Sequence, residues 1–211
     1  MNRFVSLTAK KHTSSNTRTI TMTGMLAAIS YILAFLEFPV PLSPAFARMD
    51  LSDFPALIGA FAFGPLCGLM IELVKNGLQL FSTSTGGVGE LANFLMGGSY
   101  VLAAGLFYKR NKTKKNAAIA WILASIVMGI TAALTNYFIL IPMFERFMPL
   151  DQVIASFAAF IPFIRTKLDV VLFNAFPFNL LKGLVIGALT MLVYKTADTD
   201  IKRMIDIAEG S

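Results

Sequence analysis

A few polar side chains interrupt an otherwise apolar chain, and their types suit binding rather than bond making. Asp50 and Asp53 stand at the start of a short apolar run, and Glu90 and Asn93 lie three residues apart at the start of a longer one. Asn136 falls about one and a half turns before Pro142, and Asn179 and Lys182 are again three apart, on one helix face. A charge at the centre of a bilayer costs roughly 2.5–3.5 kcal/mol on insertion scales, so each of these groups needs a partner, a polar rim or a ligand. Catalytic groups are wanting. The sole histidine, His12, sits in a basic tail, Cys67 has no neighbouring histidine, and neither an HExxH sequence nor a phosphate-binding loop occurs. The chain reads as a binder and not an enzyme, with no catalytic residue, metal site or cofactor.

Plainer roles compete for each group. Asp53, followed by Pro55, reads as a helix cap, and Glu90 as a first-turn acid favoured by the helix dipole. Glu72 and Lys75, at i and i+3, are expected to pair with each other beside Asn76. Lys182 is harder to explain as a snorkelling side chain, because it lies about five residues inside its helix with Asn179 one turn earlier. A rim of amides with one lysine suits a neutral ligand rich in hydroxyls or bearing an imide. Phe94, Phe138, Phe173 and Phe178 are placed to hold a flat ring system.

The elements that position these groups follow from composition. The mean hydropathy is +0.69, hydrophobic residues make up 56% and charged residues only 14%, against about 25% charged in soluble domains. The fold class is therefore an all-α polytopic membrane protein. Six transmembrane helices of about 20 residues would use over half of the 211 residues. The first run covers about 20–38; Ala45-Phe46-Ala47 resembles a cleavage site, but the run is long for a signal peptide. A proline-bearing loop covers 37–52, and a helix over 53–63 is broken at Gly64-Pro65. Runs follow at 66–81, 90–108 and 116–141, the last ending at Pro142. Residues 142–168 form a mixed loop with a surface helix near 151–160. The sixth helix is expected to begin at Pro177 as its first-turn proline and to end near 194, and 195–211 has the spacing of a short amphipathic helix.

Lys and Arg set the topology. The segments 1–18, 109–115 and 195–211 hold twelve of the 18 basic residues, and six spans put all three on one side. By the positive-inside rule that side, with both termini, is cytoplasmic. The net charge of +6 thus reflects membrane topology and not nucleic acid. The domain reading is a basic cytoplasmic tail over 1–18, a six-helix substrate-binding unit over 19–195 and a cytoplasmic amphipathic tail over 196–211. Gly24 and Ala28, then Ser30 and Ala34, make strips of small residues on the first helix, suited either to packing within the subunit or to docking a partner.

Three segments carry a resemblance: DLSDFPALIGAFAFGPLCGLMIELVKN (50–76), GGVGELANFLMGG (86–98) and PFNLLKG (177–183). Together they resemble the substrate-binding S component of energy-coupling factor (ECF) vitamin transporters of the riboflavin type. The resemblance implies a six-helix bundle that takes riboflavin from outside, as transported ligand and not cofactor, with the loop after the first helix as a lid. It implies as partners a transmembrane coupling protein (the T component), two cytoplasmic ABC-type ATPases and membrane lipid. Asn136, Asn179 and Lys182 would contact the vitamin, and Glu90, Asn93 and Asp50 join the candidate site. Gly24 and Ala28 map to the docking strip for the coupling protein. The alternatives are an S component for another vitamin and a self-sufficient secondary carrier.

Overall fold

A computed structural model describes the backbone of residues 2–39 and 48–209 and the side chains of residues 17–39 and 48–193. Helix α1 spans Asn2–Ala34, so the backbone is already helical through the basic N-terminal segment. The described residues of the proline-bearing stretch that follows, 37–39 and 48–52, are not helical. Its described ends pair as a short antiparallel ribbon, β1 (Phe38–Pro39) with β2 (Arg48–Met49), and Arg48 bridges Glu37 at 3.4 Å. The segment Ala45-Phe46-Ala47 lies outside the described residues, as do the side chains of the helical stretch expected at 195–211.

Helix α2 (Asp53–Phe63) and helix α3 (Pro65–Gln79) are separated by Gly64 alone. Gly64 has φ +106°, where a side chain would be strained, and Pro65 starts α3 where its missing N–H is harmless. At eleven residues α2 is about 16 Å long, less than a bilayer core. The STSTGGVG turn leads into α4 (Val88–Arg110), with Gly86 and Gly87 at positive φ. Within this turn the Thr83 hydroxyl accepts the Thr85 and Gly87 N–H groups, and the Thr85 hydroxyl accepts the Gly89 N–H.

The next helix departs from expectation. It does not stop at Pro142: α5 runs over Lys114–Phe144 with a π-turn at Asn136–Leu140. Helix α6 (Leu150–Ala158) follows, close to the expected surface helix. The last helix, α7, does not start at Pro177 either. It begins at Lys167, passes through a π-turn at Val171–Ala175 and continues to Glu209, so residues 195–209 prolong it rather than forming a separate element. Its true start is a capping box: the Thr166 hydroxyl accepts the Asp169 N–H, and the Asp169 carboxylate accepts the Thr166 N–H.

Both prolines are tolerated by one device. A proline inside a helix collides with the carbonyl four residues back. Here the residue just before each proline gives its N–H to the carbonyl five back, Ile141 to Asn136 and Phe176 to Val171. The wider turn makes room for the ring, and the chain stays helical.

The main core is built from Ala56, Leu57, Ala60, Ile71, Tyr100, Val101, Ala104, Ala124, Met128 and Ile186. Small residues let α3, α4, α5 and α7 approach closely. A Cβ on Gly105 would meet Pro65, and one on Gly187 would meet the Trp121 ring. Tyr100 donates its hydroxyl proton to the Gly183 carbonyl at 2.8 Å. A second cluster joins α6 to the bundle through Val153, Phe157, Ile141, Val170 and Val171. Ile119, Ile122, Ile126, Ile130 and Leu134 face outward along α5, an apolar stripe suited to lipid. Among the described residues, three helical segments are long and apolar enough to cross a membrane: Val88–Arg110, Lys114–Phe144 and Lys167–Val193.

Candidate functional site

The start of α4, the end of α5 and the start of α7 meet at the end of the bundle opposite the KRNKTKK connection. They enclose a cavity of about 260 Å³. Each wall has a distinct origin. The ribbon and the connection from it to α2 contribute Arg48 and Asp50; the α3–α4 turn and α4 contribute Thr85, Gly89, Asn93 and Met96. From α5 come Asn136, Leu140, Ile141 and Phe144, from α6 Phe157, and from α7 Asn174, Ala175, Phe178, Asn179 and Lys182. Five of the six expected binding residues, Asp50, Asn93, Asn136, Asn179 and Lys182, therefore meet here, from four parts of the sequence.

Glu90 does not join them. Its carboxylate accepts the Thr85 hydroxyl at 2.9 Å, which ties it to the turn that starts α4. With Phe94 it lines a separate shallow groove beside Leu73, Asn76 and Leu80. Of the expected phenylalanines only Phe178 reaches the cavity. Phe138 and Phe173 are 69% and 47% exposed, and face away from it. The aromatic wall is instead Phe144, Phe157 and Phe178. Phe144 and Phe157 lie in the 142–168 segment, which the sequence offers only as a mixed loop with a surface helix.

The amides keep unused capacity. Asn136 and Asn179 each donate one side-chain N–H to the carbonyl four residues back, Ala132 and Ala175, both at 2.9 Å. That bond holds the side chain against its own helix and leaves the amide oxygen and the second N–H for a ligand. Asn93 donates to Asn76 at 3.0 Å, and Asn76 donates to the Glu72 carbonyl and carboxylate.

Behind the cavity lies a buried ion cluster. Lys75 meets Asp53 and Glu72, each at 2.7 Å, and the Ser52 hydroxyl at 2.9 Å. Lys182 lies 2.9 Å from Asp53 and 3.5 Å from Asp50. The expected Glu72–Lys75 pair is present, but as part of this larger set. Asp53 is not the cap it resembles: Ser52 occupies the cap position, and no side chain caps α2. Asp53 is fully buried and points at two lysines from two other helices. The Ser30 hydroxyl donates to the Ser52 carbonyl, which ties α1 to the same point. A polar chain thus leaves the cavity at Asn93, passes through Asn76, Glu72, Lys75 and Asp53, and returns at Lys182.

No side chain in this set has the arrangement of a nucleophile and its base, and no group of metal-ligating residues occurs among the described residues. The arrangement offers fixed donors and acceptors against an apolar, aromatic wall, which is the design of a small-molecule binding site.

The two strips on α1 part company. Ser30 and Ala34 are buried within the subunit, whereas Gly24 and Ala28 are exposed, and a Cβ on Gly24 would meet nothing within 4 Å.

Residues 18–194 match the family model described as ECF transporter, substrate-specific component. The riboflavin transporter RibU of Staphylococcus aureus (strain TCH60) is 34% identical over 196 residues, covering 92% of this chain and 97% of that protein. The riboflavin transporter FmnP of Bacillus subtilis (strain 168) is 31% identical over 178 residues, covering 83% and 89%. A solved S component of a bacterial ECF transporter superposes with a TM-score of 0.70 at 33% identity, covering 89% of this chain and 99% of that one.

Proposed function

The chain belongs to the family of substrate-specific components of ECF transporters, and from that premise we propose that it is the riboflavin-binding subunit of an ATP-driven vitamin importer. The observation that carries this reading is the convergence of Asn93, Asn136, Asn179 and Lys182 on one cavity walled by Phe144, Phe157 and Phe178. Riboflavin joins a flat three-ring system with an imide edge to a hydroxylated chain. The phenylalanines suit the rings, and the amides and the lysine suit the imide and the hydroxyls. The relatives named as riboflavin transporters support the choice of vitamin.

On this reading α1, α2, α3, α4, α5 and α7 are the six spans, with 19–195 as the substrate-binding unit and both termini in the cytoplasm of a bacterial cell. The cavity then opens outward, with Arg48 and Asp50 at its wall. No sequence for ATP hydrolysis occurs in the chain, so transport is driven by partners: a T component and two ABC-type ATPases. The exposed Gly24–Ala28 strip is the face offered to the T component.

Gentle detergent purification should yield a yellow protein whose flavin is displaced by riboflavin and not by thiamin or biotin. A colourless protein that prefers either of those would assign it to another vitamin. Uptake into liposomes by this chain alone, without ATPases, would make it a self-sufficient carrier. Gly24→Leu should leave vitamin binding unchanged and abolish uptake in cells, because the added bulk keeps a partner helix from close approach. Normal uptake by this variant would remove the docking assignment.

A further inference from the structure

We infer that Asp53, which does not line the cavity, is a positioning residue that sets the Lys182 ammonium at the cavity wall. The inference rests on the binding reading above for its affinity arm only. Asp53 is fully buried, and its two carboxylate oxygens are divided between two helices. Oδ1 accepts from Lys75 of α3 at 2.7 Å, and Oδ2 faces Lys182 of α7 at 2.9 Å. Lys75 is itself held by Glu72 and by the Ser52 hydroxyl. Asp53 therefore sits on a fixed support and holds Lys182 from the side away from the cavity.

The other partner of Lys182 is of a different kind. Asp50 lies at 3.5 Å, is part of the cavity wall and retains some exposure. An ammonium has three donors. The Asp53 contact is a short, dry ion pair in which Oδ2 takes no aligned hydrogen bond, the Asp50 contact is a longer, accessible hydrogen bond, and the ammonium keeps donor capacity for a ligand. An oxygen of a ligand in the cavity can take that capacity or replace Asp50, but it cannot reach Asp53. Without Asp53 the lysine, on its flexible four-carbon stem, is free to swing fully onto Asp50 and leave the ligand's position.

Two measurements on the purified full chain test this. In the first, riboflavin affinity is measured for Asp53→Asn, Lys182→Met and the double variant. Asp53→Asn should weaken binding about thirtyfold, equivalent to about 2 kcal/mol, and adding it to Lys182→Met should cost nothing further. Wild-type affinity in folded Asp53→Asn, or penalties that multiply in the double variant, would overturn the inference. In the second, Lys182 is acetylated with acetic anhydride in the absence of flavin and read by peptide mass. Labelling should rise several-fold in Asp53→Asn, and unchanged labelling would overturn the inference with no reference to a ligand. If the wild type does not bind riboflavin but labelling still rises, the positioning role stands and the vitamin assignment falls. If Asp53→Asn alone does not fold, Asp53→Asn with Lys75→Met and Glu72→Gln removes the three charges of that buried set together, which is better tolerated than removing one. The same loss of affinity and rise in labelling are expected of it.

Discussion

Lys75→Met should lose most of the folded protein, by about 3–5 kcal/mol. Lys75 is fully buried on α3 and lies within 2.7 Å of both Asp53 and Glu72. Methionine fills nearly the same volume, so packing is preserved and the effect isolates the charge. Two carboxylates would then share one buried region with Lys182 as their sole nearby cation among the described residues. Glu72 Oε1 already has no hydrogen-bond partner. The measurement is thermal unfolding in detergent, with folded yield from gel filtration. Pairing the change with Glu72→Gln should recover part of the loss, since one of the stranded charges is gone. A Lys75→Met protein with wild-type yield and midpoint would mean that the cluster contributes little to the fold.

The second large effect is on affinity. Asn179→Ala should weaken riboflavin binding ten- to hundredfold, that is by about 1.4–2.8 kcal/mol, with little change in folded yield. The structural bond of Asn179 is a single donation to the carbonyl of its own helix at Ala175, which an alanine does not need. Its remaining amide groups face the cavity. Lys182→Ala is a less clean probe, because it removes a partner of buried Asp53 as well as a cavity group. Affinity measured on the purified variants checks the prediction. Loss of folded Asn179→Ala protein, or unchanged affinity, would place Asn179 outside the binding machinery.

Much of this site is legible from polar residues that an apolar chain must justify. Asp50, Asn93, Asn136, Asn179 and Lys182 stand out for that reason, and all five line the cavity. The break at Gly64-Pro65 is legible too, because glycine at positive φ followed by proline leaves few other conformations.

What sequence spacing misleads on is direction. A regular helix assigns each side chain a face at about 100° per residue. Each π-turn adds a residue and rotates everything beyond it. The turn at Val171–Ala175 places Asn174 in the cavity wall while Phe173 faces out. Prolines 142 and 177 read as helix ends because proline usually is one, and the wider turn that accepts them has no sequence signature of its own.

Partners distant in sequence are the other blind spot. Glu72–Lys75 is local and can be read from i, i+3 spacing. Asp53 with Lys75 and Lys182 can be seen only once α2, α3 and α7 are assembled. Glu90 shows the converse: its spacing from Asn93 suggests a shared role, but a local threonine holds it. Phe157 lies in a mixed segment whose polar residues, such as Asp151 and Gln152, do not line the cavity, and nothing short of the fold brings it there.

On the proposed reading this cavity binds riboflavin. Titrating the purified chain with riboflavin while following flavin fluorescence tests it most directly. Saturable quenching that ends at one flavin per chain, and is weakened in Asn179→Ala, is the predicted result. Folded protein that leaves flavin fluorescence unchanged across the titration would contradict it.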